Sequence, residues 1–288
     1  MPCLLFYHLG NTDTQDIQIF MNYNHIRGII FSPTGGTKKI VNYIGQRLSQ
    51  KWDIPYLPTP YTLPTERDGW KPIQQDELVV WGSPVYAGRI PNKTLDFVKQ
   101  YIKGYGNQTV IVSVYGGRNF DDALAEMCGI AEAGGLTPIA ATAVVSRHVF
   151  SDTLSHDRPN TEDLHEIDSF CEHICFDHHN CLNIPGNKNP QHYYQPLKED
   201  LTPAKFLKAL PLIDKTKCTQ CGKCCHCCPT GIIQKTESIH IEGICIKCQA
   251  CTTLCPTNAI AFHDPDFLSH VKMLEQNYGK DCRNAYFT

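Results

Sequence analysis

The sequence lacks any run of eighteen or more apolar residues, so no segment of it reads as a membrane-spanning helix. It also lacks a surplus of charge. A formal net charge of -3 leaves it without the basic footprint that nucleic acid requires. Residues 1 to 26 have no basic start followed by a continuous apolar stretch and a small-residue cleavage site, so they do not read as a secretory leader, and the chain is expected in the cytoplasm. Up to about Gln18 the sequence is polar and aperiodic, the pattern of a poorly ordered extension, with Met21 as an alternative start. G-x-G-x-x-G and Walker loops are absent, which argues against NAD and nucleoside triphosphates as ligands. No Ser-His-Asp order, carboxylate pair or activated cysteine stands out, so no catalytic residue is expected.

What abounds is cysteine. Sixteen thiols in a reducing compartment do not serve as disulfides, and their clustering points to metal. Cys218, Cys221, Cys224 and Cys228 follow C-x2-C-x2-C-x3-C-P, and Cys245, Cys248, Cys251 and Cys255 repeat the pattern 27 positions later. The repeat extends past the thiols: CPTGII at 228 to 233 aligns with CPTNAI at 255 to 260, and Gly231 and Asn258 are residue types that tolerate a left-handed turn. Three thiolates spaced two residues apart line one tight loop and grip three irons of a cubane. The fourth, followed by a proline that turns the chain away, reaches the other cluster.

The expected ligand sets are therefore Cys218, Cys221, Cys224 and Cys255 for one 4Fe-4S cluster, and Cys245, Cys248, Cys251 and Cys228 for the other. Structural zinc is the alternative, but a zinc site requires neither the third two-residue step nor the doubled pattern. Residues 213 to 263 resemble the bacterial two-cluster ferredoxins over their whole length. Cys225 and Cys227 lie outside that pattern and are expected to pack as small buried groups.

Upstream, short apolar runs alternate with amphipathic helices. GIIF at 28 to 31, LVVWG at 78 to 82, TVIVSVY at 109 to 115 and PIAATAVV at 138 to 145 read as strands covered on both faces. IPYLP at 54 to 58 reads as a proline-limited edge strand. Helical stripes comprise Ile40, Val41, Ile44 and Leu48, then Leu95, Val98, Tyr101 and Ile102, then Leu124, Met127, Cys128 and Ala131. A fourth holds Leu164, Ile167, Cys171 and Ile174, with Thr161 as its expected N-cap. The fold class is α/β, a five-stranded parallel, doubly wound sheet followed by a small α+β module. The expected divisions are 1–26 as extension, 27–181 as the sheet domain, 182–212 as linker, 213–263 as the cluster module and 264–288 as a terminal helical segment.

FSPTGGTKKI at 31 to 40 leaves the first strand for the first helix, where amides and hydroxyls at a positive helix end form a phosphate cradle. Ser32, Thr34, Gly35 and Thr37 match the S/T-x-T-G-x-T loop of flavodoxins, which this part of the chain resembles. The resemblance implies that Ser32, Thr34, Gly35, Gly36 and Thr37 bind the phosphate of FMN. It further implies that Pro84, Val85, Tyr86, Ala87 and Gly88, with Tyr115, Gly116, Gly117 and Arg118, line the isoalloxazine ring. Tyr86 is the natural stacking group, with an ordinary surface aromatic as the alternative. Arg118 is read either as a neighbour of the reduced, anionic flavin or as a solvated charge.

The whole chain resembles the flavodoxin-ferredoxin fusion proteins of anaerobic microbes. That implies electron transfer between a redox protein partner and FMN through two 4Fe-4S clusters. The alternatives are FMN-dependent reduction of a small substrate bound near Arg147, His148 and residues 151 to 158, and a scaffold whose clusters only staple a small domain. Residues 213 to 263 carry five basic and three acidic side chains, a balance of +2, unlike the acidic surface of a freely roaming ferredoxin, which fits a module docked on its own flavin domain. His165, Cys171, His173, Cys175, His178, His179 and Cys181 invite a third metal site, though a buried helix stripe followed by a polar loop accounts for most of them. Glu162, Asp163, Glu166 and Asp168 read as a solvated acidic helix start.

Overall fold

The apolar runs form five parallel strands, β1 (His25–Ile30), β2 (Tyr56–Pro60), β3 (Glu77–Pro84), β4 (Asn107–Tyr115) and β5 (Leu136–Val145). The structure, a computed structural model, describes residues 23–176, 182–280 and 282–288. Strand order is β2-β1-β3-β4-β5, the flavodoxin-like order whose ligand crevice lies at the carboxyl ends beside β1 and β3. Helices α1 (Gly36–Trp52), α2 (Pro64–Asp68), α3 (Leu95–Tyr101), α4 (Ala123–Ala133) and α5 (Thr161–His173) complete the crossovers.

Strand pleat divides each run between two cores. Leu78, Val80, Val110 and Val112 meet Ile40, Ile44 and Leu48 of α1 and Ile167 and Phe170 of α5. Val79, Trp81 and Ile111 meet Val98 of α3 and Leu124 and Met127 of α4 on the opposite face. Each such fully buried aliphatic contributes roughly 1.5–3 kcal/mol. Tyr56 lies across Gly28 and Gly45, where an added Cβ would come within 2.1 Å of its ring or hydroxyl, so the approach of α1 to the sheet depends on both glycines.

A sixth strand, β10 (Ala285–Phe287), pairs antiparallel with the outer edge of β5, Ala285 opposite Ala143. The expectation of five strands, with a terminal segment that is only helical, is corrected here. The unpaired edge of β5 needs backbone partners, and the last residues supply them. The helix of that segment, α8 (Pro265–Asn277), is capped by Asp264, whose carboxylate accepts from Phe267 N at 2.9 Å.

The cysteine-rich module holds two antiparallel pairs, β6 (Leu212–Ile213) with β9 (Ile260–Ala261) and β7 (Ile233–Lys235) with β8 (Ile239–Ile241). Its one-turn helices α6 (Lys223–His226) and α7 (Ala250–Thr253) stand 27 residues apart, as the sequence repeat does. Gly231 and Asn258 adopt φ of +67° and +50°. Gln220 and Lys247, and Gly222 and Gln249, are further left-handed pairs at the same spacing, so the backbone repeats where residue type gives no hint.

Two smaller expectations change. The N-cap of α5 is Asn160, not Thr161: its side chain accepts from Asp163 N at 3.1 Å, and the Asp163 carboxylate accepts from Asn160 N at 2.7 Å. The acidic start of α5 is solvated only in part: Glu162 and Glu166 are exposed, but the group is tied into the fold. Asp163 is 2% exposed and paired with Arg158, Asp168 accepts from Tyr43, and Glu166 accepts from Asn284 and Tyr286. Burial works to raise Asp163, yet Arg158 with Asn160 and Asn284 outweighs it and holds the carboxyl below its ordinary value.

Candidate functional site

Eight thiols surround two cavities in the module. Cys228, Cys245, Cys248 and Cys251 line one of about 340 Å³ of unfilled space, open in part to solvent. Cys218, Cys221, Cys224 and Cys255 line the other, of about 320 Å³. Each cavity thus takes three thiols from one repeat and the fourth from the other. Among the described residues, no three His, Cys, Asp or Glu side chains converge as they would on a single metal ion. The thiols line the two spaces without meeting at a point.

The walls are largely apolar, with Ile233, Ile246 and Phe262 around the first set and Ile213, Ile239 and Ile260 around the second. Burial pushes Cys224 and Cys248 up to about 12 and raises Cys245 and Cys251 as well. Such thiols keep their protons unless a cation in the cavity displaces them. Amides already point at sulfur: Lys247 N donates to Cys245 Sγ at 3.3 Å and Ala259 N to Cys255 Sγ at 3.2 Å. Cys225 and Cys227 are half-buried against the same apolar cluster, and Cys227 Sγ donates to Cys224 O at 3.5 Å.

At the carboxyl edge of the sheet, the loop after β1 turns through Gly35 at φ +91° into α1, Gly35 being an N-cap residue with no side chain to cap the helix. Ser32 Oγ accepts from Lys38 N at 2.9 Å, and Ser32 N donates to Thr62 Oγ1 at 2.8 Å, which curls the loop around that helix end. Thr34 is exposed and Thr37 buried; Ser146 Oγ, from the end of β5, lies 3.2 Å from a Cβ added at Gly36. An anion seated there would meet hydroxyls and the helix-start amides ahead of Lys38, which Ser32 and Gly35 leave free for it.

The loop after β3 reverses at Ala87 and Gly88, φ +48° and +81°, with Tyr86 N donating to Arg89 O at 2.7 Å and Arg89 N to Tyr86 O at 3.2 Å. Two positive φ values in the middle of a turn define its primed form. The loop is held from outside. Glu126 of α4 pairs with the Arg89 guanidinium and accepts from Ile90 N at 3.1 Å, Tyr194 N donates to Ala87 O at 2.8 Å, and Tyr193 OH donates to Ile90 O at 2.9 Å. Tyr86 is half-exposed by area, yet desolvation, with Cys248 and Cys245 nearby, lifts its hydroxyl well above the ordinary range.

The loop after β4 borders the same space. Tyr115 OH donates to Arg283 O at 2.6 Å, Gly117 turns at φ +88° beside Ser155 and Cys282, and the His148 ring packs on Gly116. His148 Nδ1 accepts from Phe150 N at 3.1 Å, and burial pushes the imidazole down to about 4. Arg118 is not a solvated charge: it pairs with Asp121 and lies 4.0 Å above the Tyr194 ring. Arg147, expected near a substrate, pairs with Asp152 on the surface, both more than half exposed.

Glu126, Arg89, Tyr193 and Tyr194 were invisible to the sequence reading. The signal was a charge inside an apolar helical stripe, and two adjacent tyrosines in a connector otherwise composed of turn residues. Of the His/Cys-rich stretch, Cys171 packs beneath α1, Cys175 is exposed, and His178, His179 and Cys181 lie outside the described residues, as does the 1–22 part of the expected extension.

Fold and site together define an α/β, flavodoxin-like domain joined to a module with two four-thiol cavities. No protein-family model matches the sequence, and neither does any curated protein. Among solved structures, the chain is similar to a flavodoxin from the domain Archaea, at 15% identity and TM-score 0.35 over 52% of this chain and 94% of that one. A Megasphaera elsdenii flavodoxin gives 14% and 0.35 over 51% and 98%. The rubredoxin oxygen:oxidoreductase of Desulfovibrio gigas gives 13% and 0.38 over 52% and 35%. The fold class rests on strand order, not on likenesses of this size. Among the described residues no helix is long and apolar enough to cross a membrane.

Proposed function

We propose that the chain is an electron-transfer flavoprotein binding FMN in the sheet domain and two 4Fe-4S clusters in the cysteine-rich module. The observation that carries the reading is the division of eight thiols into two cavities, each drawing its fourth thiol from the other repeat. Clusters exchange single electrons and a flavin one or two, so the pair converts between the two modes. Ser32, Thr34, Gly35, Gly36 and Thr37 would hold the phosphate, and Tyr86 would face the ring from the loop that Glu126 fixes. Ile246, between Cys245 and Cys248, packs on the core of the sheet domain, which supports proximity of that thiol set to the domain.

Oxygen-free purification followed by iron, sulfide and flavin analysis tests the reading. Eight irons, eight sulfides and one FMN per chain are expected; fewer irons, zinc in their place, or no flavin overturn it. A second reading, reduction of a small organic substrate over the ring, is favoured by neutral His148 beside Gly116. Steady-state turnover of a small acceptor without a partner protein would select it.

A further inference from the structure

The two thiol sets differ in what covers them. The set of Cys228, Cys245, Cys248 and Cys251 faces inward. Cys248 and Cys251 are buried, and Ile246 packs on the sheet domain's core. Lys247, also buried, donates its ammonium to Cys245 O at 2.9 Å and to Leu207 O. The set of Cys218, Cys221, Cys224 and Cys255 faces outward, with Cys221 exposed and Cys218 and Cys255 half-exposed.

Exposed lysines border that outward set. Lys223 lines its cavity, Lys215 and Lys217 lie immediately before Cys218, and Lys235 reaches back to donate to Gln220 O at 2.6 Å. Asp214 is engaged by Thr216 and Lys217, which leaves Glu237 as the one other acidic side chain between residues 212 and 241. Three apolar side chains stand in solvent on the same module: Leu212 at 60% exposure on β6, next to the cavity-lining Ile213, and Leu254 at 50%, next to Cys255, flank this set, while Ile244 at 60% lies beside Cys245 of the other. Apolar contacts inside a charged rim are the composition of a transient docking face, where charge steers the encounter.

We infer that this face, around Cys218, Cys221, Cys224 and Cys255, is where an acidic one-electron redox protein docks. The inference rests on the cluster reading above. The inward set then serves as the link to the flavin crevice. The step is one electron leaving the partner's reduced iron-sulfur centre for the cluster at the outward set; the partner is oxidised, this chain is reduced, and no bond forms or breaks.

The test uses the full chain, loaded and shown by iron and sulfide analysis to carry both clusters, so that failure of the cluster reading is detected first. A pre-reduced acidic two-cluster ferredoxin is mixed with it under stopped flow at several salt concentrations. The triple variant Lys215→Glu, Lys217→Glu, Lys235→Glu is expected to slow the second-order reduction by about tenfold or more and to flatten or invert its salt dependence. Lys103→Glu, at the amino edge of the sheet, is expected to change neither. Reduction of both variants by dithionite and their cluster potentials should match the parent, which separates docking from damage. Equal rates for triple variant and parent with the acidic donor, or a parent rate that rises with salt, overturn the proposal.

Discussion

Single side chains decide whether the crevice keeps its shape. Glu126 is buried within α4 and binds both the Arg89 guanidinium and the Ile90 amide, so Glu126→Ala strands a buried cation and an amide together. Breaking a buried pair from one side costs about 3–5 kcal/mol, and the urea midpoint of the variant should fall accordingly, with the turn at Ala87 and Gly88 loosened and flavin affinity reduced. His148 sets a pH dependence. Its folded pKa of about 4 lies below the ordinary 6.5, so the unfolded chain takes up the proton first. The stability this group allows is whole above about pH 6.5 and is lost as the pH falls toward 4, by at most about 3 kcal/mol. Burial depresses His270 in the same direction. Urea melts at pH 7 and pH 4.5 should show the loss in the parent and a smaller one in His148→Gln; equal losses would assign the effect elsewhere.

Secondary elements were legible in proportion to how locally their cause is encoded. The β-branched runs and the stripes of α1 and α4 carry their period in the sequence, and Pro55 and Pro58 mark the edge strand, which lies two residues further on at Tyr56–Pro60. The thiol sets were legible because ligand spacing repeats at 27 residues. β10 was not, since three residues, Ala285 to Phe287, have no period of their own and acquire strand geometry from the free edge of β5. Its attachment is tested by ending the chain at Lys280. The truncation removes the acceptor of Tyr115 OH at Arg283, the bond of Val145 N to Asn284 Oδ1 at 2.8 Å, and that of Thr142 Oγ1 to Ala285 O at 2.9 Å. At about 1 kcal/mol per bond, a loss of about 3 kcal/mol or more is expected, with faster hydrogen exchange at residues 141 to 145. Unchanged exchange there would show that β5 holds without its partner.

Across the whole molecule, the question is what keeps the thiol module against the flavin crevice, and Arg67 gives the most direct answer. It leaves α2 with Nη1 donating to Tyr61 O at 3.0 Å and Thr62 O at 2.7 Å, in the segment after β2, while Nη2 donates to Pro229 O at 2.7 Å, next to Cys228. Burial pulls its guanidinium below the ordinary value, against Asp68 and Glu66, so the charge is held in a partly dry seam between the two units. Pro64, at the start of the same helix, lies 3.5 Å from a Cβ added at Gly231, so the two units also approach each other there. Arg67→Ala removes three bonds from a charged donor and should lower stability by about 1.5–3 kcal/mol. On the proposed function its sharper consequence is kinetic: iron and flavin contents should stay at parental values while electron exchange between clusters and flavin slows, because the thiol module is no longer tied to the segment after β2. Arg67→Lys, which keeps the charge but not the fork, should fall between the two. Should rapid-mixing traces of the loaded Arg67→Ala variant match the parent, the apolar seat of Ile246 on the sheet domain's core would be the contact that sets the distance.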